Sequence, residues 1–162
     1  MTDSAANAYQ DPLVIQQLLT SARTIAIVGL SNNPLRASNF VGFYLLRHGY
    51  HVIPVNPRET EVLGQRAVAK LTDIDEPVDI VNVFREPGVV PELAEEAIRI
   101  GARALWLQFG VISPAGAALA HRAGLAVVMD RCLKIEHARY LGRMHWLGFN
   151  TGVISARRSA RR

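Results

Sequence analysis

Two short stretches of the chain carry residue types that could do chemistry. VMDRCLKIEH, residues 128–137, crowds Asp130, Arg131, Cys132, Lys134, Glu136 and His137 together behind an apolar run. A cysteine opening a helix beside Arg131 and Lys134 would stand in a positive field, which lowers a thiol pKa and favours the thiolate. Cys132 is therefore a candidate reactive thiol, able to form a mixed disulfide or accept an acyl group. A lone cysteine at a strand end is more often a small packing residue, and that reading stays open. His137 falls more than about 100° around a helix from Cys132, which makes it a poor general base for the thiol.

The second stretch, TIAIVGLSNNPLRAS, runs from Thr24 to Ser38 as an apolar segment that breaks at one glycine and enters a polar loop. Gly29 lets the backbone turn sharply, the Ser31 hydroxyl can donate to a phosphate, and free amides at the start of the next helix favour an anion. Arg36 can clamp a phosphate through a two-pronged contact. An ordinary strand-to-helix turn uses the same residue types, and spacing alone does not separate the two.

The loop fails the test for NAD. The dinucleotide pattern G-x-G-x-x-G would need glycine at Ser31 and Pro34, and a carboxylate near the end of the second strand to hold the ribose hydroxyl. That strand instead runs Pro54-Val55-Asn56-Pro57-Arg58. Arg58 suits a ribose that carries an extra phosphate, which leaves NADP and coenzyme A. A solvated loop arginine is the plainer alternative.

The elements that must position these residues follow from hydrophobic periodicity. Asp11-Pro12 caps and starts a short helix. Apolar strands are expected over 24–30, 51–57, 79–84, 104–110 and 125–130, with an edge strand over 61–64. Helices are expected from Ser38 to the stop at Gly49, over 89–100, from the Ser113-Pro114 cap to Gly124, and through CLKIEHARYL. Strands apolar on both faces, alternating with helices of ten to twelve residues, imply a doubly wound α/β fold with a mostly parallel sheet covered on both sides. Right-handed crossovers then bring the strand ends after Val28, Val55, Phe84 and Gln108 to one edge, where such folds bind ligands.

At 162 residues and 49% hydrophobic, the chain predicts one domain: an N-terminal helical extension over 1–22, a core over 23–142 and a C-terminal extension over 143–162. The net charge of +4 is accounted for by Arg157, Arg158, Arg161 and Arg162, so the body is neutral and lacks a nucleic-acid-binding face. The tail is expected to be disordered. The N-terminus has no secretory pattern and no apolar run reaches a membrane span, which predicts a soluble, cytoplasmic protein without membrane partners. One cysteine excludes an internal disulfide framework. His48, His51, His121 and His145 show no metal-ligand spacing, and no metal site is expected.

VGLSNNPLRAS, GYHVIPVNPRETEVLG, VDIVNVFR, WLQFGV and VMDRCLKIEH occur in that order between Thr24 and Arg139. In these stretches the chain resembles the small single-domain CoA-binding proteins, whose Rossmann-like fold is similar to the CoA-binding domain of the succinyl-CoA synthetase alpha subunit. Ala37 stands where that family's loop has proline, a change that loosens the loop and keeps Ser31 and Arg36. The resemblance implies binding of coenzyme A or an acyl-CoA. Gly29, Ser31, Asn33, Pro34, Arg36 and Ser38 would form the phosphate loop. Pro54, Val55, Asn56 and Pro57 would flank adenine and ribose, and Phe84, Arg85, Gln108 and Gly110 would line the next strand ends. It does not extend to the partner domains of the synthetase, so a non-catalytic or regulatory binding role is expected. The alternatives are an NADP-dependent enzyme and a protein-interaction subunit with a vestigial nucleotide site. A homodimer face around Phe43 and Leu46 is a further possibility.

Overall fold

The computed structural model describes residues 8–142; the tail arginines, His145 and Trp146 lie outside them. The order of elements is α1 (Pro12–Ser21), β1 (Thr24–Val28), α2 (Ala37–Arg47), β2 (His51–Val55), β3 (Glu61–Val62), β4 (Gln65–Arg66), β5 (Ile80–Val83), α3 (Val90–Arg99), β6 (Ala104–Leu107), α4 (Pro114–Arg122), β7 (Ala126–Val128) and α5 (Leu133–Tyr140). Short 3-10 turns lie at Leu71–Asp73 and Pro87–Val89. Five strands form a parallel sheet in the order β2-β1-β5-β6-β7. This is the doubly wound α/β architecture expected from the alternation of apolar strands and helices.

Alternation along each strand divides the core into two layers. Ala26, Val28, Val81, Val83, Leu105 and Leu107 pack on one face against Ala94 and Ala97 of α3 and Ala117 and Ala120 of α4. Ile25, Ile27, Ile80, Trp106 and Val128 pack on the other, against α1, α2 and α5. Ile15, Leu18 and Leu19 are buried there, so α1 is built into that layer. Pro54 is tolerated because β2 is the last strand of the sheet, where a missing N–H costs least.

The caps fall where the sequence puts them. The Asp11 carboxylate accepts from Leu13 N, and Ser113 Oγ accepts from Gly116 N. Two expectations change. The strand expected over 104–110 stops at Leu107, because Gly110 takes φ +84° and the chain turns out, leaving Phe109 exposed. The edge strand expected over 61–64 is instead a separate antiparallel hairpin of β3 and β4. Leu63 and Gly64 both have positive φ (53° and 75°), the two-residue turn that folds a strand back on itself.

The strand order reverses between β1 and β5, so the chain leaves their carboxyl ends in opposite directions and opens a crevice.

Candidate functional site

Two hollows meet at the reversal and share Gly29 and Phe84 as a common wall. The larger, about 550 Å³, runs from the ends of β1 and β2 to α3 and is lined by Val55, Asn56, Pro57, Arg58, Lys70, Arg85, Glu92 and Glu96 among others. The smaller, about 340 Å³, is bounded by Ser31, Arg36, Ala37 and Ser38 at the start of α2.

Gly29 sits at φ +87° and donates to Val55 O at 2.9 Å. A Cβ there would come within 2.6 Å of Phe84 O, so only glycine lets β1 and β5 approach this closely beside the crevice. The loop beyond is a chain of turns. Ser31 Oγ accepts from Asn33 N at 3.0 Å, Asn33 Oδ1 from Leu35 N at 3.0 Å, and Ser38 Oγ from Ser31 N at 3.1 Å. Asn39, buried on α2, donates to Ser31 O at 2.8 Å. Arg36 is the N-cap of α2 and makes no capping bond with its side chain, so the helix start presents backbone donors to the smaller hollow, and among the described residues the Arg36 guanidinium makes no hydrogen bond or ion pair.

Of the residues expected at the site, Gly29, Ser31, Arg36 and Ser38 converge on the smaller hollow, and Val55, Asn56, Pro57, Phe84 and Arg85 on the larger. Asn33 and Pro34 shape the loop from outside, and Pro54 accepts from Val68 N within the β2 edge. Gln108 and Gly110 belong to a neighbouring cluster. Gln108 is buried, accepting from Asn82 Nδ2 at 3.3 Å and Leu133 N at 3.4 Å, and Gly110 N donates to Asp130 Oδ1 at 2.7 Å. Cys132 is the half-buried N-cap of α5 and packs on the layer that includes Phe84. Its basic neighbours reach other groups: Arg131 bonds Gln10 Oε1 at 2.7 Å, and the Lys134 amine lies over the Tyr44 and Phe40 rings.

Charge in the larger hollow is mixed, with Arg58, Lys70 and Arg85 facing Glu92 and Glu96. Arg85 forks onto Glu86 at 3.0 and 3.1 Å, and this pairing holds the Glu86 carboxyl below the usual carboxylate range. Lys70, Glu92 and Glu96 are not among the residues that the sequence marks for the site. The four-residue spacing of the two glutamates puts both on one helix face, and nothing in the sequence says that this face looks across the crevice. Among the described residues, no group of three or more His, Cys, Asp or Glu could hold a metal ion. None of the described helices is long and apolar enough to cross a membrane.

Comparison with known proteins gives the family and supports the fold. The profile of the family described as "CoA binding domain" matches residues 23–138. "Uncharacterized protein YneT" of Bacillus subtilis (strain 168) is 41% identical over 124 residues, 76% of this chain and 92% of the relative. A "hypothetical protein from Pyrococcus horikoshii OT3" has a solved structure with a TM-score of 0.79 and 39% identity, covering 82% of this chain and 93% of that one. A structure from Thermus thermophilus gives 0.76 and 40%, covering 80% and 98%.

Proposed function

The chain belongs to the CoA binding domain family, and from that premise we propose that it binds coenzyme A, free or acylated, in the two hollows that meet at Gly29 and Phe84. The observation that carries the reading is the open start of α2: uncapped, flanked by Ser31 and Arg36, and facing the crevice. The diphosphate sits there, on backbone amides and the Arg36 fork. Adenosine and its ribose phosphate extend into the larger hollow, between Val55, Pro57 and Phe84, with Arg58 and Lys70 in reach of the phosphate. The pantetheine arm leaves past Phe84 toward α5, where Cys132 stands.

The role is binding rather than catalysis. Among the described residues, His137 Nδ1 is engaged by Tyr44 Oη at 2.8 Å, and Cys132 makes no hydrogen bond to a base. Calorimetric titration of the reduced protein with coenzyme A, repeated with NADP in the same buffer, tests the reading. Micromolar binding of coenzyme A with no heat from NADP is the expected result. Heat from NADP alone would assign the crevice to a reductase cofactor, and heat from neither would make it scaffold.

A further inference from the structure

We propose that Asn32 is a positioning residue that holds Arg58 at a set distance from the Ser31–Ser38 loop, so that the site selects a nucleotide bearing a ribose phosphate as well as a diphosphate. The inference rests on the reading above, that coenzyme A fills the two hollows.

Arg58 stands on an arm, residues 56–70, that leaves the sheet after β2 and contains only the small β3–β4 hairpin. Two residues per strand cannot make such an arm rigid. Its far limb is pinned to the edge of β2, where Val68 N donates to Pro54 O at 3.0 Å and Asn56 N donates to Val68 O at 2.9 Å, and the limb that carries Arg58 is tied to the segment that carries the phosphate loop. Asn32 Nδ2 donates to Glu59 Oε2 at 2.5 Å and to Glu61 O at 2.8 Å, fastening the loop to the limb of the arm that carries Arg58. Asn56 Nδ2 donates to Leu30 O at 3.1 Å while its Oδ1 accepts from Arg58 N at 2.9 Å. Farther out, Leu63 holds φ +53° and seats against Gly42 of α2, where a Cβ would meet its Cδ1 at 3.2 Å.

Arg58 thus lies between two asparagine clips, directly before the glutamate that Asn32 grips. Asn32 lines neither hollow, so any effect it has on a ligand must pass through what it holds. An arginine fork recognises phosphate by direction as well as charge, and a loosened arm would have to be ordered again on binding. Arg36 and Arg58 therefore act as two anion contacts whose separation the clips set. A ligand lacking the ribose phosphate uses only the first.

The test is calorimetric titration with coenzyme A and with dephospho-coenzyme A of the wild type, Asn32→Ala, Arg58→Ala and the double variant. The wild type is expected to prefer coenzyme A. Asn32→Ala should lose about tenfold of that preference, the scale of one charge-assisted contact, with its affinity for dephospho-coenzyme A and its urea midpoint unchanged. Arg58→Ala should lose the same preference, and adding Asn32→Ala to it should remove nothing more. Glu59→Gln, which keeps an acceptor for Asn32, should stay within about twofold of wild type. If Arg58→Ala loses the preference but Asn32→Ala keeps it, or if the two losses add in the double variant, the inference is overturned while coenzyme A binding stands. Absence of any wild-type binding to coenzyme A would overturn the underlying reading and the inference together.

Discussion

Gly29 joins local backbone freedom to the shape of the crevice more tightly than any other residue described. Its positive φ alone disfavours a side chain, and the 2.6 Å approach of a Cβ to the Phe84 carbonyl adds a clash with backbone, which cannot swing aside as a side chain could. Gly29→Ala is expected to destabilise the fold by about 2 kcal/mol or more and to abolish coenzyme A binding. Urea unfolding together with titration of the folded variant checks both. Undiminished affinity would remove Gly29 from the site. The sequence showed that a glycine was needed here, because an apolar strand breaks at it. It did not show that the neighbour was Phe84, which is 55 residues away and meets Gly29 only through the pairing of β1 with β5.

At the scale of elements, α2 meets α5 through a cluster of rings. His137 Nδ1 lies 2.8 Å from Tyr44 Oη, and His48 stacks on Tyr44 with centroids 4.0 Å apart. Burial, helped by the proximity of His48, pushes the His137 pKa down to about 4. An unfolded histidine titrates near 6.5, so the unfolded chain takes up this proton first. The contribution of neutral His137 is complete above about pH 6.5 and is lost as pH falls toward 4, at up to about 1.4 kcal/mol per pH unit. Glu136, buried beside Arg139 and Arg131, has a raised pKa and acts in the opposite sense as pH rises through it. The urea midpoint of the wild type should therefore fall between pH 6.5 and 5, and His137→Asn should flatten that slope. An equal slope in the variant would place the pH dependence elsewhere. Periodicity predicted both helices within a residue or two, but not that α5 presents His137 to α2, which depends on how they pack against the sheet.

For the whole molecule, the candidate site is assembled from segments far apart in sequence: the loop after β1, the arm after β2, the turn after β5 and one face of α3. A ligand that bridges them stabilises the folded state as one unit. At 100 times its dissociation constant, coenzyme A should add about 2.7 kcal/mol, raising Tm by several degrees, with NADP as the control that leaves it unchanged. Equal shifts with the two nucleotides would mean that the site reads only a diphosphate.

By itself the sequence determined the alternation of buried strands and capped helices, and hence the doubly wound sheet, because those depend on local periodicity and on short-range capping by Asp11 and Ser113. It also put Gly29, Ser31 and Arg36 together as candidates, since they are neighbours along one loop, and the family resemblance added Ser38. Only the tertiary structure decided which strand ends face each other. The order β2-β1-β5-β6-β7 put Phe84 and Arg85 beside Gly29, turned Glu92 and Glu96 into the crevice and sent Gln108 and Gly110 to a separate cluster. It also decided that Asn32, an ordinary loop residue in the sequence, would fasten the arm that carries Arg58. Such contacts depend on long-range strand pairing, which local residue patterns do not encode.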